Sequence, residues 1–148
     1  MSTFTQILYH IVFSTKNRDR AIDPERKKEL FQYIWGVLKK HDCHLYRIGG
    51  DADHIHILCA LHPGVALAHL IKDIKVSTSD WIKHEKVFPF FSHWQEGYGA
   101  FTHCFHEKER LIDYLKNQEN HHARISFTDE LLTLLKEAGI VFDDRYLK

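Results

Sequence analysis

The period of the apolar positions changes several times along this chain, and each change marks an element. Residues 4–14 (FTQILYHIVFS) are dense in β-branched and aromatic side chains and read as a first strand. Lys16-Asn17-Arg18-Asp19-Arg20 is a polar, basic loop. Asp23-Pro24-Glu25 has the makeup of a helix start, with Asp as N-cap, Pro at the first helical position and an acid in the first turn. Leu30, Phe31, Ile34, Val37 and Leu38 then recur at helical spacing to about Lys40.

Residues 43–48 read as a second strand, Gly49-Gly50-Asp51-Ala52-Asp53 as a longer hairpin loop, and residues 54–61 as the returning strand. After the break at Pro63-Gly64, Leu67, Ile71, Ile74, Trp81 and Ile82 mark a second helix. Residues 95–99 are turn-like and lead into a strand at 100–104. A third helix starts near Glu107 and runs to about His122. A fourth covers 129–138, with Ser126 and Thr128 as cap candidates and Gly139 as C-cap.

The order β-α-β-β-α-β, followed by two helices, is that of a split βαβ unit. It predicts an α+β, ferredoxin-like (RRM-like) fold in one domain over residues 1–148. Helices would pack on one face of an antiparallel sheet, with a C-terminal pair of helices appended. The same architecture serves many activities, so function has to come from the side chains.

Composition narrows the class. Hydrophobic residues are 44% and aromatics 13% of 148 residues, which excludes a disordered chain and supplies a core. No apolar run reaches the ~18 residues of a membrane span, and the first residues lack a signal-peptide pattern. Cys43, Cys59 and Cys104 are odd in number and lie in apolar, strand-like contexts. They read as reduced core residues of a cytoplasmic protein. The 20 basic and 20 acidic residues cancel, which argues against coating nucleic acid by bulk charge but leaves room for a local patch. Lys16, Arg18 and Arg20 are the candidates for phosphate contacts, while Lys72, Lys75, Lys83 and Lys86 read as a solvated helix face.

The chemistry concentrates in two stretches. In Asp53-His54-Ile55-His56-Ile57 polar and apolar residues alternate. Side chains at i and i+2 of a strand leave the same face, so His54 and His56 can reach one metal ion while Ile55 and Ile57 meet the helices. A solvated pair on a wet sheet face fits the same spacing. Imidazoles alone would suit zinc, manganese or iron better than magnesium.

Downstream, Tyr114 and Gln118 lie four apart on the third helix, with His121 or His122 on the same side. The end of this helix is otherwise polar, as a solvated helix end also would be. A phenol has a pKa near 10 and is a poor nucleophile near neutrality. It needs a proton acceptor or a metal that activates the phosphate it attacks. A metal on His54 and His56, with the Gln118 amide oxygen as third ligand, would supply the latter. Trp94-Gln95-Glu96-Gly97-Tyr98-Gly99-Ala100-Phe101 reads as a turn entering the last core strand.

Taken together these stretches resemble the single-tyrosine HUH transposases of the smallest bacterial insertion sequences. The matching segments come in the family's order: residues 10–18 (HIVFSTKNR), Asp53-His54-Ile55-His56, Trp94 through Phe101, and Tyr114-Leu115-Lys116-Asn117-Gln118 with His121-His122. The resemblance spans nearly the whole chain. It implies an enzyme that cuts single-stranded DNA beside a hairpin. Tyr114 would be the nucleophile forming a 5′-phosphotyrosine, and a 3′-hydroxyl would later rejoin the strands. It also implies His54, His56 and Gln118 as ligands of magnesium or manganese, and a homodimer in which the tyrosine helix can serve either protomer. It gives His121 and His122 no role. A non-catalytic hairpin-binding module on the same fold is the alternative, and a domesticated relative would share the chemistry.

Overall fold

The computed structural model describes residues 1–118, 120, 125–143 and 145; His121 and His122 fall outside them. Four antiparallel strands, β1 (Leu8–Ser14), β2 (His44–Asp51), β3 (His54–Ala60) and β4 (Gly99–His103), form a sheet in the order β2-β3-β1-β4. Helix α1 (Lys27–Lys40) joins β1 to β2, and α2 (Leu67–His84) joins β3 to β4. This is the ferredoxin-like α+β arrangement expected from the sequence. Helices α3 (Lys108–Lys116) and α4 (Phe127–Glu137) follow and lie against the opposite face.

The side-chain alternation of the two central strands builds both layers. Ile11 and Phe13 of β1 and Ile55, Ile57 and Cys59 of β3 join Leu30, Ile34 and Leu38 of α1 and Leu70, Ile71 and Ile74 of α2 in the main core. Each fully buried aliphatic side chain there stabilises by about 1.5–3 kcal/mol relative to exposure. On the other face, Leu8 and Leu58 pack with Leu111 and Leu115 of α3, and Val12 packs with Phe101 and Phe127. Because helices cover both faces, β1 and β3 are buried along almost their whole length.

Several expectations shift. β1 starts at Leu8, and Phe4 is left 84% exposed. β2 continues through Gly49, Gly50 and Asp51, so the hairpin turn shrinks to Ala52-Asp53. The reason lies in α3: a Cβ on Gly49 would come 2.3 Å from the Leu115 carbonyl oxygen. That glycine marks a close approach of backbones rather than a loop. Residues Phe105–Glu107 form a separate 3-10 turn before α3. α4 begins at Phe127, its Ser126 cap accepting from the Asp129 N–H at 3.2 Å, and Gly139 takes the left-handed φ of 70° that a C-cap uses. Cys43 and Cys59 are buried as expected, and burial pushes the Cys59 thiol up to about 12. Cys104 is exposed instead, because the strand ends before it. Among the described residues no helix is long and apolar enough to cross a membrane.

Candidate active site

β3 carries the centre of the site. Its pleat turns Ile55 and Ile57 into the main core and His54 and His56 toward α3 and α4. Both imidazoles are completely buried, with ring centroids 5.0 Å apart, so they are not a solvated pair. Across β1, Val12 lies opposite His56 and Ser14 opposite His54.

α3 delivers the second stretch to the same place. Leu111 and Leu115 anchor it on Leu8 and Leu58. Tyr114 stands edge-on to His56 with centroids 5.9 Å apart. Gln118 is buried, and its Oε1 lies 3.2 Å from His54 Nε2. Its Nε2 donates to the Tyr114 carbonyl at 3.4 Å, which orients the amide.

α4 adds a residue the sequence reading missed. Phe127 stacks on the His54 ring at 4.4 Å. One turn on, Glu130 is 3% exposed, with Oε1 2.5 Å from His56 Nε2 and 4.0 Å from His54 Nε2. Ligand atoms of His54, His56 and Glu130 all lie within 4.8 Å of one another. The signal was present: Phe127, Leu131, Leu134 and Leu135 form an apolar stripe, and Glu130 is an acid set inside it.

Outer partners set the tautomers. His54 Nδ1 lies 2.7 Å from Asp53 Oδ1, and a carboxylate only accepts, so Nδ1 carries the proton. In the neutral ring the Nε2 lone pair then faces Gln118 Oε1, a second acceptor. His56 Nδ1 lies 2.6 Å from His10 Nε2, which leaves His56 Nε2 turned to Glu130. His10 is itself buried; burial first, then His56 and His103, hold its pKa well below the usual histidine range. Two imidazole nitrogens, a carboxylate and an amide oxygen therefore converge on one point, the donor set a divalent cation requires; His54 Nε2 turns its lone pair inward, and at 2.5 Å His56 Nε2 and Glu130 share a proton that a cation would displace. The carboxylate supplies the hard oxygen that the imidazoles lacked, so the set suits manganese and magnesium as well as zinc.

Tyr114 is half-buried beside this set. Burial raises its pKa above the ordinary phenol value, and the Glu130 carboxylate, which also shares a hydrogen bond with it, raises it further. Gln118 opposes the shift through a weaker hydrogen-bond contribution. The phenol is held protonated at rest.

The other expected residues divide. Arg20 pairs with Asp51 at 3.5 Å in a largely exposed ion pair worth little energy. Arg18, at a left-handed φ of 56°, instead lines a cavity of about 650 Å³ with residues 95–99, Phe127 and Arg145. Lys16 opens the short 3-10 turn between strand and loop. The three side chains of the basic loop thus have different surroundings: an ion pair for Arg20, a cavity wall for Arg18 and the start of the 3-10 turn for Lys16. Trp94 is buried between Phe13 and Phe91, 5.0 Å from each, and its indole N–H donates to Thr78 Oγ1 at 2.8 Å. Lys75 is no solvated helix lysine: its ammonium donates to the Gln95 carbonyl at 2.9 Å and the Gly97 carbonyl at 2.5 Å, and burial lowers its pKa. The segment leads into β4, the turn into the last core strand that was expected, and Trp94 and Lys75 brace it.

The sequence profile of the IS200-like transposases matches residues 3–118, and the chain belongs to that family. Two solved structures share its fold. A candidate transposase from Deinococcus radiodurans R1 aligns at a TM-score of 0.61 and 19% identity, over 80% of this chain and 95% of its own. A REP-associated tyrosine transposase bound to a REP hairpin aligns at 0.62 and 14% identity, over 84% of this chain and 76% of its own. No curated protein matches the sequence. Glu130 lies beyond the segment that the family profile matches.

Proposed function

We propose that this transposase-family chain cleaves and rejoins single-stranded DNA beside hairpins, with Tyr114 as nucleophile, acting in the cytoplasm as a homodimer. The observation that carries this is one convergence: Tyr114 lies beside the buried His54–His56 pair, in hydrogen-bond contact with Glu130 and Gln118. His54, His56 and Glu130, joined by Gln118, would hold magnesium or manganese. Bound there, the ion would polarise the scissile phosphate oxygens as a Lewis acid.

The chain's own residues account for the rest. The Tyr114 hydroxyl attacks phosphorus, a Tyr–O–P bond forms, and the bond from phosphorus to the 3′ oxygen breaks. The phenol loses its proton and the departing 3′ oxygen takes one up, so the step is proton-neutral overall, while the hydrogen bond to Glu130 orients the Tyr114 hydroxyl. Phosphodiester energy is kept in the phosphotyrosine, so a second 3′-hydroxyl reverses the step without ATP. The buried walls of Phe127, Leu111 and Leu115 keep water from competing with that hydroxyl. Tyr114 lies beside His56 of the same chain, which supports a site completed within one protomer.

Incubation with single-stranded DNA carrying a hairpin, with magnesium, should give a denaturant-resistant protein–DNA adduct on a gel. Tyr114→Phe and a chelator should each abolish it while hairpin binding persists. An adduct that survives both treatments would remove Tyr114 and the metal from the chemistry; hairpin binding with no adduct from the unaltered chain would leave only a binding module.

A further inference from the structure

A second feature lies outside the histidine site, at the free edge of the sheet. β2 is an outermost strand, so among the described residues one side of its backbone has no strand partner. Along it runs α1, whose Lys28, Gln32, Trp35 and Lys39 fall at i, i+4, i+7 and i+11 and form one row. Row and edge enclose a groove of about 610 Å³.

The groove is aromatic and positive. Trp35 is 47% exposed, with Lys39 Nζ 4.0 Å over its ring. From β2, His44 and Tyr46 meet edge-on at 4.6 Å beside an exposed Arg47, at the irregularity between Leu45 and Arg47. Lys28, Lys39 and Arg47 line it and, among the described residues, no carboxylate does. None of these three cations is in an ion pair among the described residues. In a chain whose 20 basic and 20 acidic residues cancel, that is a local excess. The pattern continues past the groove: Phe105, 45% exposed, lies 6.4 Å from Tyr46, and Lys108 Nζ sits over both rings, at 4.5 and 5.3 Å. Tyr46 packs in the same apolar cluster as Tyr114.

Trp35 and Phe105 are exposed and Tyr46 is half-buried, and aromatic rings interleaved with cations in this way are what single-stranded nucleic acid requires: rings for the bases and charge for the phosphates. A single exposed tryptophan would need no explanation. A row of rings with three cations along one sheet edge, leading to the tyrosine helix, does. We infer that the α1–β2 groove holds a stretch of the single-stranded DNA substrate away from the cut site, its bases stacking on Trp35 and Tyr46 and its phosphates on Lys28, Lys39 and Arg47. This rests on the proposed activity on single strands.

The test uses full-length protein carrying Tyr114→Phe, so that nothing is cleaved, and fluorescein-labelled oligothymidine long enough to span the groove. Anisotropy is read across a salt series. Adding Trp35→Ala should weaken binding roughly 5- to 150-fold. Adding Lys28→Ala, Lys39→Ala and Arg47→Ala together should flatten the slope of log affinity against log salt by roughly 2. All four side chains are at the surface, and an unchanged melting temperature confirms the fold. Affinity and slope equal to the parent's would overturn the groove assignment and leave the tyrosine chemistry standing. A parent that binds neither oligothymidine nor a hairpin would remove the proposed activity with it. Loss of self-association in Trp35→Ala, with DNA affinity unchanged, would give the groove to a second copy of the chain.

Discussion

Replacing Gly49 with alanine changes the height at which α3 crosses the sheet. The added methyl would sit 2.3 Å from the Leu115 carbonyl oxygen, where ordinary contact begins at 3.4 Å. The neighbouring Leu115 carbon and Cβ, at 3.0 and 3.1 Å, close off a sideways escape. Helix α3 must rise by about 1 Å, the difference between those separations, and Tyr114 rises with it. Displacing a reacting group by about 1 Å costs on the order of 100-fold in rate. Overpacking of this kind costs roughly 1–3 kcal/mol, which in a chain of this size lowers the melting temperature by roughly 2–12 °C. The assay is single-turnover adduct formation at saturating hairpin DNA, run well below the variant's melting point. Gly36→Ala is the control: nothing lies within 4 Å of its added methyl on an exposed helix interior. It should keep the wild-type rate and gain roughly 0.5–1 kcal/mol. A wild-type rate in Gly49→Ala would refute the idea that this backbone contact sets the tyrosine's position.

Three further outcomes follow from the same geometry. Glu130→Gln should weaken manganese binding, measured by calorimetry, by more than the ~10–100-fold that loss of an outer partner costs; unchanged affinity would remove Glu130 from the ligand set. Thr78→Val leaves the buried Trp94 indole N–H without its acceptor and should cost about 1–3 kcal/mol, read as a lower melting temperature; a melting point equal to wild type would contradict the bracing role. A mixture of Tyr114→Phe and His56→Ala chains should form no adduct, because each tyrosine meets its own histidines; recovered activity would show that protomers exchange the tyrosine helix.

How far the sequence could be read follows from the physics of each signal. Strand alternation at His54–Ile57 and helical spacing at Tyr114 and Gln118 are local, and both survive in the structure. The ferredoxin-like order was legible for the same reason. Gly49 misled because a glycine needed for close backbone approach looks like a turn glycine; its partner, Leu115, lies far away in sequence. Glu130 was hidden because an acid in an apolar helical stripe becomes informative only once that stripe is seen to cover the histidines. Lys75 hid likewise: its carbonyl partners Gln95 and Gly97 belong to a distant segment. Long-range placement, rather than residue type, was missing each time.

The most direct measurement is to find where the DNA is attached. After incubation with hairpin DNA and magnesium, the adduct is digested with nuclease and protease and the modified peptide is sequenced by mass spectrometry. A residual nucleotide phosphate on Tyr114, joined through its phenolic oxygen, is the expected result. Attachment at any other residue, or strand cleavage without attachment, would contradict the site assembled from Tyr114, His54, His56, Gln118 and Glu130.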